Sequence, residues 1–392
     1  MNNAKKRTVK LTDVCDFQGG SQPPKEEWIY DNQDGYIRML QIREFTQDRT
    51  GKEEYVKLTN STKICTADDI LIARYGASLG KILTGMSGAY NVAIMKTIPN
   101  ENVLSKKYLY FYLSSRLFQH HIMNLSSRAA QAGFNKDDLK TLLIPLPSLD
   151  LQSLITDNLN KVTELINLRK QRLAELDNLI KSRFIEMFGD PVTNPMGWEK
   201  VPLSECLERI ESGNSFNCKP HSRNGSNPAI LKLSAVTYGI YNPDENKELP
   251  VNIAFDERVE VLPGDLLFSR KNTLEMVGMS AYVYNTPPNL MLPDLIFRLI
   301  TRENCDKVYL WQLINHPESR LGIQSLASGS AASMPNISKQ RLMHHIIPLP
   351  PLPLQTRFAE FVQAADKSKF YTQKSIEESQ LLFDSLMSRY FE

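Results

Sequence analysis

The spacing of apolar positions changes character three times along the chain. Residues 7 to 143 carry short apolar runs, such as ILIA at Ile70 to Ala73 and VAIM at Val92 to Met95, broken by Gly, Asn and Asp. Runs of that length bounded by turn formers read as strands, with one helix predicted near 105 to 123. From Leu149 to Phe188 there is neither Gly nor Pro, and Ile155, Leu159, Val162, Ile166, Leu173, Leu176, Ile180 and Met187 recur at threes and fours. That periodicity predicts one long amphipathic helix, stopped at Gly189-Asp190-Pro191, where glycine suits a helix end and proline cannot continue it. Strand-like texture then returns. Pro351 and Pro353 precede a second Gly- and Pro-free run, Leu354 to Glu392, whose seam includes Phe358, Phe361, Val362, Ile376, Leu381, Leu382 and Leu386.

The two halves superpose in register, which marks an internal duplication. TVKLTDVCDF around Leu11 matches EKVPLSECLERI around Leu203, and ADDILIARYG (Ala67 to Gly76) matches PGDLLFSRKN (Pro263 to Asn272), with Asp69 on Asp265 and Arg74 on Arg270. KYLYFYL from Lys107 matches VYLWQLI from Val308, IPLPSLDLQ from Ile144 matches IPLPPLPLQ from Ile347, and Arg183 falls on Arg389. The offset rises only from 192 at Leu11 and Leu203 to 206 at Arg183 and Arg389, as a few short insertions in the second copy would give. The expected class is α+β: mixed α/β domains at 1–148 and 191–350, the latter including a linker, each followed by a long helix, at 149–190 and 351–392.

A helix of about 38 residues is roughly 57 Å long, more than one small domain needs for its own core. Each must bury its seam elsewhere, and the other helix is the expected partner, in an antiparallel coiled coil with pseudo-two-fold symmetry. A helix wrapped on its own domain is the competing arrangement.

Net charge is +2, from 46 basic and 44 acidic residues, so a nucleic-acid surface has to come from local clustering. Cys15, Cys65, Cys206, Cys218 and Cys305 are odd in number and lack C-x-x-C spacing, against a disulfide framework or a structural zinc site. No run of about 18 apolar residues occurs, so no membrane partner is expected and the cytoplasm is the expected compartment.

The common catalytic constellations are missing. Gly80-Lys81 is followed by Ile82 and Gly51-Lys52 by Glu53, so neither forms a phosphate-binding loop. The pairs His120-His121 and His344-His345 fall at non-equivalent places in the two copies, and neighbouring side chains diverge, which argues against a shared metal. What repeats is polar chemistry beside turns. ARYGASLGK presents Arg74, Tyr75, Ser78 and Lys81, and the second copy offers Arg270, Lys271, Asn272 and Thr273. Arginine and lysine bond guanine edges or phosphates, and asparagine bonds adenine. A solvated hairpin tip is an equal reading of the same residues. A second loop pair contributes Arg128, Gln131 and Asn135 against Asn336, with an ordinary linker as its competitor. Arg38, Gln41 and Arg43 in YIRMLQIRE stand against Lys232 and Ser234 in AILKLSAV.

These residues resemble the specificity subunits of type I restriction-modification systems over essentially the whole chain. The carriers are the doubled DDIL/GDLL strand with its arginine loop, and the doubled IPLP followed by L-x-L-Q (Leu149, Leu151, Gln152; Leu352, Leu354, Gln355) running into a long helix. The resemblance implies two target recognition domains, each binding one half of a split double-stranded DNA sequence, with the helices as a spacer. It also implies two modification subunits that carry S-adenosylmethionine, restriction subunits that cut, and no cofactor or catalytic residue in this chain. The second copy has Lys271-Asn272 where the first has Tyr75-Gly76, so close backbone approach is not shared. An enzyme fusion and a purely structural scaffold are the rival readings.

Overall fold

The computed structural model describes residues 7–46, 52–126, 133–329 and 334–392. The first copy runs β1 (Thr8–Lys10), α1 (Leu11–Val14), β2 (Cys15–Gly19), β3 (Tyr36–Leu40), α2 (Ile42–Thr46), β4 (Tyr55–Lys57), β5 (Ile64–Cys65), β6 (Leu71–Ala73), β7 (Ile82–Leu83), β8 (Gly88–Tyr90), β9 (Ile94–Pro99), α3 (Lys106–Ser114), α4 (Arg116–Ser126), β10 (Leu143–Pro145) and α5 (Leu149–Phe188). The second runs β11 (Glu199–Pro202), β12 (Leu207–Ser212), β13 (Ala229–Leu231), β14 (Asn246–Glu248), β15 (Leu266–Ser269), β16 (Ser280–Tyr282), β17 (Leu290–Met291), β18 (Ile296–Thr301), α6 (Lys307–Asn315), α7 (Pro317–Ser325), α8 (Lys339–Met343), β19 (Ile346–Leu349) and α9 (Leu352–Phe391).

The duplication is visible strand by strand. An antiparallel sheet ordered β2-β9-β6-β7 in the first copy recurs as β12-β18-β15-β16, and the ribbon β1-β10 recurs as β11-β19. A smaller sheet, β4-β3-β8-β5, recurs as β14-β13-β17, with β3·β8 and β13·β17 as the parallel pairs. The ILIA run is apolar throughout because both faces of β6 are covered. Ile70 and Ile72 enter the core against the helices, while Leu71 and Ala73 face the core of the smaller sheet. Leu266 and Phe268 divide from Leu267 in the same way. Alternation between two cores leaves no polar face, as for any strand buried on both sides.

The helix expected near 105 to 123 is two helices, broken at Ser115. That residue is extended, and its hydroxyl donates to the Tyr112 carbonyl (2.6 Å) and accepts from the Phe118 N–H. A serine that satisfies the free carbonyls and N–H groups at a helix end competes with continuation of the helix. In the second copy the same break falls at His316, ahead of Pro317.

The long helices bear out the 3.6-residue pattern. α5 has the expected limits, and Gly189 ends it in the left-handed region, at φ 76°. α9 starts two residues before the Pro-free run, because Pro353 lies in the first turn, where no intrahelical N–H bond is lost. Each helix leaves its domain through the same device. The Gln152 side chain is fully buried; its Oε1 accepts from Ser105 N (2.9 Å) and its Nε2 donates to the carbonyls of Val103 (2.7 Å) and Pro147 (2.9 Å). Gln355 repeats all three bonds, with Asp306 N (2.8 Å), Asn304 O (3.1 Å) and Pro350 O (2.7 Å). Tyr108 and Tyr309 donate to Pro145 O (2.9 Å) and Pro348 O (2.8 Å) of the two IPLP strands.

The chain divides into two compact units, and the division cuts both long helices: Met1–Lys170 with Lys374–Glu392, and Gln171–Gln373. In the first unit Met387 and Phe391 of α9 join a core with Leu11, Tyr108, Tyr112, Ile155 and Leu159. In the second, Phe184 and Phe188 of α5 pack with Tyr309 and Phe358, ring centroids 4.9–5.9 Å apart. The helices therefore pack together antiparallel. Arg169 donates to Ser375 O (2.7 Å) and to the Ser379 hydroxyl in the first unit, and Lys369 pairs with Asp177 (2.9 Å) in the second. These contacts are polar, and Leu381 and Leu382, expected on the seam, are 69% and 51% exposed. The reason is that Thr372 and Ser379 take the inward positions and Phe391 anchors the helix beyond them.

Each copy thus completes its core with the helix of the other. Phe391→Ala should cost about 3–5 kcal/mol and lower hydrogen-exchange protection in 104–112, whereas Phe184→Ala should lower it in 305–314. Loss confined to the substituted residue's own sequence copy would contradict this exchange.

Candidate nucleic-acid interface

β6 and β15 each run directly into an arginine loop, and the loop is closed by its own backbone. Gly80 N donates to Ala73 O (2.9 Å) and Ala73 N to Lys81 O (2.9 Å); in the second copy Gly278 N donates to Ser269 O (2.8 Å) and Ser269 N to Met279 O (2.8 Å). A helix backs each loop. Gln119 of α4 donates through Nε2 to Gly80 O (2.9 Å), and Arg320 of α7 donates through Nη2 to Val277 O (2.7 Å). Neither backing residue stands out in the sequence, since a polar residue on a helix facing a loop has no periodic signature.

The two loop pairs singled out in the sequence meet in both copies. Tyr75 forms a β-bridge with Gly133, and Lys271 forms one with Asn336. Arg74 and Tyr75 thus lie beside the segment containing Asn135, and Arg270, Lys271 and Asn272 beside Asn336. Arg74 donates through Nε to Phe134 O (3.0 Å) and through Nη1 to Val92 O (3.2 Å), with its guanidinium carbon 5.1 Å from the Tyr75 ring centroid. Arg270 donates through Nε to Asn336 Oδ1 (2.9 Å) and through Nη1 to Asp294 O (3.4 Å), and lies 5.0 Å from the Phe297 ring centroid.

The other candidates differ in exposure. Lys81, Thr273 and Tyr75 are exposed, and Ser78 and Lys271 are half-buried. Asn272 is buried, its Nδ2 donating to the Thr237 hydroxyl (3.1 Å). Asn135 caps a short turn, its Oδ1 accepting from Asp137 N (2.7 Å). The strand-end group is matched by carboxylates: Arg38 pairs with Glu53 (2.8 Å), Gln41 and Arg43 both meet Glu54 (2.6 and 2.5 Å), and Lys232 and Ser234 share Glu245. Arg128 and Gln131 lie outside the described residues.

Ahead of β6 and β15, at the strand end away from the arginine loop, sits a repeated ion pair. Asp69 bonds Lys96 (2.6 Å) and Lys106 (3.3 Å), and Asp265 bonds Arg298 (3.0 Å). Lys96 and Arg298 occupy matching register positions, opposite Leu71 and Leu267. Setting VAIMKTIP on LIFRLIT would have found them. Burial pushes the Asp69 carboxyl up, but the Lys96 ammonium, the Thr66 N–H and Lys106 outweigh it and hold the group at about 2. Among the described residues no group of three His, Cys, Asp or Glu could hold a metal ion, and no helix is long and apolar enough to cross a membrane. The five cysteines are free thiols, four of them buried.

Two repeated domains with paired loops, each completed by the other copy's helix, define a duplicated loop-presenting scaffold. Residues 3–178 match the family model described as type I restriction modification DNA specificity domain. The type I restriction enzyme EcoEI specificity subunit of Escherichia coli is 30% identical over 50% of this chain, an alignment that spans 34% of that relative. The MjaVIII specificity subunit of Methanocaldococcus jannaschii is 23% identical over 91% of this chain and 85% of its own length. In fold, a type I restriction-modification S subunit from M. genitalium matches with TM-score 0.60 and 13% identity, covering 98% of this chain and 96% of that one. A chain solved in work on assembly and conformational transition of the type I R-M system gives TM-score 0.59 and 18% identity, over 98% and 97%. The chain is thus similar to the specificity subunits of type I restriction-modification systems, with the family model matching its first half and the solved structures sharing its fold.

A carboxyl held near 2, below the value of about 3.9 it has in an unfolded chain, contributes stability that is complete above pH 4 and lost as pH falls toward 2. Stability should therefore drop more steeply from pH 4 to 2 in the unsubstituted chain than in Asp69→Asn, followed by urea unfolding. Equal slopes would count against the assignment.

Proposed function

We propose that the chain reads DNA for a type I restriction-modification complex, each repeated domain contacting one half of a split, asymmetric double-stranded target. The observation that carries this reading is the same loop platform built twice on one framework, with different outward residues: Tyr75, Ser78 and Lys81 in one copy, Lys271 and Thr273 in the other. A shared framework with different loops suits two half-sites of different sequence, since base edges are read by the particular donors and acceptors a loop presents.

The long helices set the unspecified spacer and dock two modification subunits. Their exposed apolar residues, among them Leu165, Leu168, Phe370 and Tyr371, suit protein contact. S-adenosylmethionine and methylation belong to those subunits, cleavage to restriction subunits, and this chain performs no catalytic step. With near-neutral net charge, DNA affinity comes from local cations and falls steeply with salt.

Sequencing the methylome of a host with and without the gene tests the reading: methylation at one bipartite motif should vanish, and an unchanged methylome would refute it. Exchanging residues 1–148 for those of another specificity subunit should change one half-site only. A change in both halves would rule out the modular arrangement.

A further inference from the structure

The arginine that follows β6 and β15 repeats in position and in bonding the same two neighbouring segments, to a backbone carbonyl of Phe134 in one copy and the side chain of Asn336 in the other, although the loops around it share little sequence. Arg74 joins three separate segments. It continues β6, bonds Val92 O ahead of β9 and bonds Phe134 O ahead of β10. Arg270 joins the corresponding three through Asp294 O and Asn336. Backbone bonds reinforce the second seam, where Ile337 N donates to Arg270 O (2.8 Å) and Asn272 N to Pro335 O (3.3 Å). In the first copy Gly133 lies flat on the Tyr75 ring, and a Cβ there would sit 2.3 Å from Tyr75 Cδ1.

Resting on the DNA-reading function, we propose that Arg74 and Arg270 are positioning residues: each guanidinium clips the arginine loop to the segment before the IPLP strand, fixing the face from which other side chains read one half-site. A planar guanidinium donates in two fixed directions at once, and here Nε and Nη1 are both spent on protein oxygens, a task lysine's single ammonium cannot copy. The selection on this residue is then on geometry, which explains why it is kept in both copies while the outward residues change.

The test uses the full chain in its host, with Arg74→Ala, Arg74→Lys and Gly133→Ala. The last keeps the arginine but forces the two segments apart. All three variants should relax several positions of one half-site together and leave the other half intact, in methylome sequencing. The salt slope of DNA binding by the assembled complex should stay unchanged. Amides of Gly80 and Lys81 should lose exchange protection in the purified chain.

Relaxation at a single base position would make Arg74 a base reader. A slope shallower by about 0.9, with Arg74→Lys behaving as the unsubstituted chain, would make it a phosphate contact. Normal recognition by Gly133→Ala alongside a defective Arg74→Ala would also overturn the proposal, as would unchanged exchange at Gly80 and Lys81. If exchange rises while no methylated motif depends on the gene, the clip stands and the DNA-reading function falls.

Discussion

A buried side-chain amide at the first turn of each long helix sets the direction in which the helix leaves its domain. Gln152 and Gln355 use one acceptor and two donor bonds apiece, all to backbone, and thereby join the helix start, the IPLP strand end and the segment before α3 or α6. Leaving any of those buried groups unpaired costs about 1–3 kcal/mol, so the joint resists rotation of the helix. A helix of 40 residues is roughly 60 Å long, and a small error in direction at its start becomes a large displacement at its end.

Much of this was legible in sequence because the duplication offers two readings of every element. The limits of α5 follow from the Gly- and Pro-free run, and both L-x-L-Q motifs were visible, although their role as three-bond joints was not. The break at Ser115 escaped notice because the first copy marks it with a hydroxyl alone, whereas Pro317 marks it in the second. Leu381 and Leu382 fit an apolar seam by spacing, yet the inward positions are held by Thr372 and Ser379, and periodicity does not register a polar helix contact. The loop pairs were identified as loops, but that they meet across β-bridges is tertiary information, carried by residues some 60 positions apart.

The paired-loop platform combines a strict part with a permissive part. Asp69 with Lys96, Asp265 with Arg298, and the arginines that follow β6 and β15 recur in matching register. The outward residues differ between copies at almost every position. The cations in and just after β3 and after β13 are matched locally by Glu53, Glu54 and Glu245. Specificity can change on such a platform without rebuilding its core, since exposed loop residues contribute little to stability.

The exchange of helix ends also bears on the order of events during synthesis. A ribosome delivers residues 7–170 well before residues 374–391, yet the first core needs Met387 and Phe391 beside Tyr108 and Tyr112. Until then an apolar surface of the early half stands uncovered, while the second unit obtains Phe184 and Phe188 from chain already made. The half made first is thus the half finished last, and the nascent chain depends on rapid folding of residues 171–373 to bring α9 back before the open surface finds another partner.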